Sequence, residues 1–364
     1  MKKYKICKIL LVILAIFLCV AFYELLGICV AYKKQPEVSN TTKKETKNGS
    51  WNECSENTER AVIIEKNPEA LLQRVRLIKN AKKEIILSTF AFQSDESGKL
   101  ILGALHDAAD RGVHIRLLVD GMESWIDMEG NPYFYGLSSH ENVEIKLYNK
   151  ANPLKPWKMM GRMHDKYLIA DGKRYILGGR NTYNYFLGDF PGHKNYDRDV
   201  LVVCDEPEKE NSVNQLLEYF ETIWEQEDSG YFHDNKKLAN RKSVKNAVLE
   251  LQNGYQKYFE ENKERICDTD YTDETFETEK IALVSNPIHT GSKEPVVWYQ
   301  LGELMKNAKN RVKIHTPYII CNDMMYNTWE EIAENVSDFS IMTNSVANNG
   351  NPFGAADYAK NRNR

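Results

Sequence analysis

Two distant stretches of this chain superimpose without a gap: LIKNAKKEIILST, Leu77 to Thr89, and LMKNAKNRVKIHT, Leu304 to Thr316. Each reads as the end of a helix, a Lys-rich turn and a strand. Upstream, AVIIEKNP from Ala61 parallels IALVSNP from Ile281. Downstream, HIRLLVDG from His114 has a counterpart in FSIMTNSV from Phe339, each after a helix. Three strands in the same order make a duplicated fold a better reading than chance, and 364 residues suffice for two similar halves.

The first half sets the fold class. NPEALLQRVRLIKNAK places Leu71, Leu72, Val75 and Ile78 at helical spacing, and EIILSTFAF reads as a strand. GKLILGALHDAADRG is a helix stopped by Gly112, and VHIRLLVDG is another strand. This alternation predicts an α/β sandwich around a largely parallel sheet. Residues 33–60 are polar and read as a flexible tether. The stretch from Asn235 to Arg265 reads as a solvated helix. The acidic CDTDYTDETFETE after it lacks the glycine turn and terminal Glu spacing of a calcium loop, and reads as a disordered or looped connector.

The N-terminus carries Lys2, Lys3, Lys5 and Lys8, then an apolar run from Ile9 to Tyr32 broken only by Glu24. That is long enough to cross a hydrocarbon core of about 30 Å. GICVAYKK is a poor cleavage site, so the run is predicted to remain as an uncleaved single-pass anchor in the cell membrane. Lysines flank both ends and do not choose a membrane face. The net charge of −4 gives no sign of a general nucleic-acid binder. Seven scattered cysteines without a CxxC pair point to neither a disulfide framework nor a zinc site.

Chemistry concentrates in GRMHDKYLIADGKRYILGGRN, residues 161 to 181. RMHDKYLIAD reads as a strand, Asp171–Gly172 as a two-residue hairpin turn, and KRYILGG as the returning strand. Alternation puts His164 and Lys166 on one face, a compact site for an anion. Lys supplies a fixed charge for phosphate oxygens, and His can attack phosphorus or shuttle a proton near neutral pH. Gly178 and Gly179 allow close backbone approach to a ligand, and the Asn181 amide can donate to a phosphate oxygen.

His164, Lys166, Asp171, Gly178, Gly179 and Asn181 together spell HxKxxxxD followed by G-[GS]-x-N, which resembles the phospholipase D superfamily. With GGRNTYNYFLGD, YDRDVLVV, TPYII and TNSVANNGNPFGAADYAK, the chain from about residue 61 onward looks like bacterial cardiolipin synthases of the C-type branch. The resemblance implies two α/β halves of phospholipase D type, each giving one motif to a shared site. It implies a phosphohistidine on one His while the other His serves the alcohols as acid and base. His164, Lys166 and Asp171 would be the catalytic set, and Lys166, Gly179 and Asn181 would bind the phosphate. Asp199 matches an acidic position that could orient a site group, with Asp197 as the alternative. No metal or other cofactor is called for. The implied partners are the bilayer, phosphatidylglycerol and a second phospholipid, with nucleic acid disfavoured. The implied reaction is phosphatidyl transfer, with lipid or nucleic-acid phosphodiester hydrolysis as the alternative.

The second half departs from this pattern. Thr89 precedes His164 by 75 positions, and the same interval from Thr316 puts a second His near position 391. None of His193, His233, His289 or His315 opens an HxK motif. The expected explanation is a truncated product or fragment of a two-motif enzyme, ahead of self-association that pairs two copies of His164, or a non-catalytic lipid-binding remnant. The expected organisation is an anchor over 1–32, a tether over 33–60 and a first half over 61–225. A connector over 226–280 and an incomplete second half over 281–364 follow.

Overall fold

The computed structural model describes residues 2–49, 59–204, 206, 211–233, 235–348 and 352–361. It begins with α1 (Lys2–Ala31), α2 (Asn40–Asn48), β1 (Glu59–Ile64), α3 (Asn67–Asn80), β2 (Glu84–Thr89), α4 (Glu96–Asp110) and β3 (His114–Asp120). Then come α5 (Gly121–Asp127), α6 (Pro132–Ser138), β4 (Val143–Tyr148), β5 (Tyr167–Ala170), β6 (Arg174–Gly178), β7 (Asp199–Cys204), α7 (Ser212–Trp224) and β8 (Ser229–Tyr231). The remainder is α8 (Lys242–Glu261), α9 (Lys263–Cys267), β9 (Phe276–Glu277), α10 (Val296–Lys306), β10 (Arg311–His315), α11 (Asp323–Asn335), β11 (Asp338–Met342) and α12 (Pro352–Asn361). The chain forms two compact units, Met1–Lys34 with Cys54–Leu283 and Ile288–Ser292, and Gln35–Glu53 with Val284–Pro287 and Lys293–Arg364.

In the first unit, nine strands among the described residues form one sheet in the order β8-β4-β3-β2-β5-β6-β7-β1-β9. β2, β3 and β4 are parallel, and β5, β6 and β7 continue antiparallel. The near-continuous apolar strands EIILST and HIRLLVD are buried on both faces. Ile85 and Leu87 pack under α3 and α4, while Ile86 faces the core that includes Leu216, Phe220 and Trp224 of α7. Gly112 stops α4 at φ +88°, as expected for a glycine past a helix end.

The second unit repeats the motif on a smaller scale. β10 and β11 are parallel, with Arg311 opposite Asp338. Glu84 and Arg311, which the gap-free alignment pairs, each open a strand after a helix. Val312, Tyr326, Trp329, Ile332 and Val336 form its core. The expected strand at Ile281–Val284 is absent, and Ile281 and Leu283 instead pack on the first unit's α7-side core.

Two connecting segments differ from expectation. The expected flexible tether contains α2, whose Ser39 side chain caps the Thr42 N–H while Glu294 accepts from Ser39 N and Thr42 Oγ1. Residues 50–58 of that tether lie outside the described residues. The expected solvated connector is a packed layer: Val244, Ala247, Leu251, Tyr255 and Phe259 of α8 are buried, and α8 packs against α4 and α6. The acidic run is held by Arg76, which donates to the carbonyls of Asp268 and Asp270 and to Glu274 Oε1. Its guanidinium lies 3.9 Å from the Tyr271 ring centroid.

Candidate active site

The strand directions gather the ends of β1, β2, β3, β4 and β6 and the starts of β5 and β7 at one edge of the sheet. Ligands bind open α/β sheets at this carboxyl edge of the parallel strands. His164 and Lys166 sit here, in the extended segment entering β5. The regular strand begins only at Tyr167, later than the sequence predicts. Alternation nevertheless holds, because the intervening Asp165 turns away to accept the Tyr219 hydroxyl of α7 at 2.7 Å.

Phe90 follows β2 directly and anchors the cluster. Its ring centroid is 4.6 Å from that of His164, edge-on. The Lys166 ammonium lies 5.3 Å and the Arg162 guanidinium 5.0 Å from the same ring. Lys166 Nζ donates to the His164 carbonyl at 2.6 Å. Asp120, buried at the end of β3, accepts from Arg162 Nη2 at 2.7 Å and from Met163 N at 3.0 Å. This fixes the backbone just ahead of His164.

The electrostatics separate the two central groups. His164 as a whole residue is exposed, yet desolvation, then the Lys166 and Arg162 cations, push its pKa down to about 4 against the pull of Asp120. Lys166 is 6% exposed. Desolvation pushes its pKa down to about 8, opposed by Asp165, Asp197 and Asp120. At neutral pH the site therefore pairs a neutral imidazole with a cationic ammonium.

The other expected site residues divide. The Asn181 carbonyl oxygen accepts from Ala91 N at 3.2 Å, and its side chain also bonds the Tyr183 hydroxyl, which leaves at most one amide N–H for a ligand. Chain packing itself calls for the glycine pair: a side chain at Gly178 would collide with the Asp199 carboxylate, and one at Gly179 with that of Asp197. The Gly179 N–H points to the Arg198 carbonyl at 3.5 Å. Asp197 remains at the site edge, where its charge acts on Lys166. Asp199 is buried between Arg74 at 2.8 Å and Arg180 at 3.2 Å, a structural ion triad.

Asp171 is placed away from the chemistry. Asp171 and Gly172 adopt φ +55° and +60° in a turn closed by the Lys173 N–H on the Ala170 carbonyl at 3.1 Å; Ala170 pairs with Arg174, so the loop holds three residues rather than the expected two. The Asp171 carboxylate accepts from the backbone N–H of Lys82, Lys83 and Glu84 at 2.7–3.2 Å. It sits at the far end of β5, about 16 Å from Lys166 at ~3.3 Å per residue. It ties the hairpin to the start of β2 and takes no direct part in the site. Sequence reasoning missed Phe90, Asp120, Arg162 and Tyr219; the ends of β2 and β3 beside a charged motif were the available signal for the first two.

Residues 74–224 match the family model described as "Cardiolipin synthase, PLD-like domain". An uncharacterized protein of Helicobacter pylori is 28% identical over 79% of this chain and 59% of its own. Cardiolipin synthase C of Escherichia coli is 29% identical over 43% of this chain and 34% of its own. The chain thus spans less than two thirds of the curated relatives it matches. The crystal structure of phosphatidylserine synthase from Haemophilus influenzae has the same fold, with a TM-score of 0.54 over 85% of this chain and 67% of that one at 15% identity. Residues 74–224 thus match a phospholipase D-like domain of cardiolipin synthase type, and the chain is a relative of the phospholipase D superfamily that resembles its cardiolipin synthases.

Proposed function

We propose that this chain is a membrane-anchored phosphatidyltransferase of cardiolipin synthase type, working through a phosphohistidine on His164. The observation that carries the reading is the neutral His164 beside the cationic Lys166 at the carboxyl edge of the sheet. An imidazole nitrogen donates its lone pair to the phosphorus of a phospholipid. The N–P bond forms, the P–O bond to the first alcohol breaks, and that oxygen leaves with the proton that the other ring nitrogen of His164 gives up. The hydroxyl of a second lipid headgroup, such as phosphatidylglycerol, then attacks phosphorus, the N–P bond breaks, and the hydroxyl proton returns to the His164 ring. Lys166 and the Asn181 amide hold the phosphate oxygens while their charge redistributes. Phe90 and Asp120 act as positioning residues for His164 through the contacts already described.

The anchor is α1, whose segment Lys8–Ala31 is long and apolar enough to cross a membrane and is unburied in the fold. This sequence carries one HxKxxxxD motif. Pairing of two copies of His164 in a self-associated form would supply the second imidazole for the alcohols. The test is expression in bacterial cells that lack cardiolipin, with lipid extracts compared between the wild-type chain and His164→Ala. New cardiolipin in the wild type alone supports transfer. Phosphatidic acid released in its place identifies water as the acceptor and a hydrolase. No lipid change refutes the transferase reading.

A further inference from the structure

The sheet edge that holds His164 is rimmed by exposed apolar side chains. Trp125 and Ile126 on α5 are 68% and 70% exposed, and Leu154 in the loop between β4 and β5 is 78% exposed. Trp157 and Met160 in the same loop are also exposed. α5 leaves β3 directly and the loop leaves β4 directly, so both emerge at the site's edge of the sheet. Met122 of α5 and Lys150, Lys155 and Lys158 of the loop line one cleft with Glu227 and Asp228, in which Lys158 pairs with Asp228 at 2.6 Å and leaves Lys150 and Lys155 as its other cations. Clustered exposed apolar groups of this kind mark an interaction surface.

The same loop receives the end of α1. The Tyr23 hydroxyl donates to the Leu154 carbonyl at 3.0 Å. A Cβ on Gly27 would lie 2.5 Å from Pro156 Cγ, so the helix approaches the loop as closely as a glycine allows. Earlier described side chains of α1 are exposed up to Val20. Lys8–Ala31 spans about 36 Å at ~1.5 Å per residue, so a core of about 30 Å counted from Lys8 ends near Gly27; that puts its approach to Pro156 at the headgroup–acyl boundary and the Tyr23 contact with Leu154 about 6 Å inside it. Trp side chains favour that level, and Lys side chains favour anionic headgroups there.

We propose that this rim is a bilayer-docking surface. Trp125, Ile126, Leu154, Trp157 and Met160 insert at the headgroup–acyl boundary, and Lys150 and Lys155 contact anionic headgroups. The mouth of the His164 site then opens on the membrane plane, and a phospholipid headgroup reaches it without leaving the bilayer. This rests on the anchor and lipid reading above, but its test needs no turnover. The full chain is reconstituted in phosphatidylglycerol–phosphatidylcholine vesicles containing brominated acyl chains, which quench only tryptophans in contact with lipid. Wild type, Trp125→Phe/Trp157→Phe and Trp298→Phe are compared. The expected result is at least a twofold loss of quenching in the double variant and none in Trp298→Phe. Unchanged quenching in the double variant overturns the proposal. A chain that docks yet transfers no phosphatidyl group would fail the transferase reading and keep this one. Leu154→Glu/Trp157→Glu gives a second readout: quenching is expected to fall at least as low as in a Trp157→Phe single variant, with the remaining Trp125 quenching reduced, and wild-type quenching overturns the rim.

Discussion

Replacing Asp171 separates the role that the motif implies from the role that the geometry assigns. Its carboxylate accepts from three backbone N–H groups, of Lys82, Lys83 and Glu84. Each charge-assisted bond is worth about 1 kcal/mol once the exposure of the turn is discounted. Asp171 also stands at φ +55°, where Asp and Asn are tolerated and Ala costs about 1 kcal/mol more. Asp171→Ala should therefore cost about 3–4 kcal/mol, and Asp171→Asn, which keeps one carbonyl acceptor, about 1 kcal/mol. For a unit of this size, each kcal/mol lowers Tm by about 2–4 °C. The expected shifts are roughly 6–16 °C for Ala and 2–4 °C for Asn, read by circular dichroism of the full chain in detergent. At a temperature where all variants are folded, the phosphoryl adduct on His164 per folded molecule should match the wild type in both. Loss of the adduct with an unchanged Tm would refute the structural role and restore Asp171 to the chemistry.

Other outcomes follow from the same site. Between about pH 4 and 8, His164 is neutral and Lys166 charged, so adduct formation should be flat across that window and fall on both sides; an acid limb centred near 6.5 would contradict it. The depressed Lys166 pKa means that the unfolded chain holds this proton more tightly, so at pH 7 the charged Lys costs stability, and the cost ends as pH rises above 10.5. Lys166→Met should then raise stability by about 1–3 kcal/mol at pH 7 in urea unfolding while abolishing the adduct; a destabilised variant would show that the buried ammonium is well compensated. Asp199→Asn leaves Arg74 and Arg180 facing each other without their carboxylate, and should cost about 3–5 kcal/mol in the same assay; a cost below ~1 kcal/mol would remove the triad from the structural frame.

The parallel strands were legible because buried strands advertise themselves as apolar runs, and the repeat gave their order. The hairpin at Asp171–Gly172 was legible because only certain residues accept two left-handed conformations in succession. What escaped was tertiary. The apolar stripe of α8 is diluted by Lys and Glu on its outer face, so it read as solvated. Ser39 and Glu294 lie far apart in the chain, so the order they impose on α2 has no local signature. In the motif itself, spacing could place His164 beside Lys166, but it could not show that the strand carries Asp171 to the opposite edge. Nor could it show that the glycine pair makes room for Asp197 and Asp199.

The most direct measurement is capture of the covalent intermediate. The purified full chain is mixed with phospholipid radiolabelled at phosphorus, quenched rapidly and digested, and the label is located by peptide mapping. A phosphohistidine in the peptide bearing His164, lost in His164→Ala and retained in Asp171→Asn, is the expected result. Label on another residue, or label that survives His164→Ala, would contradict nucleophilic chemistry at His164.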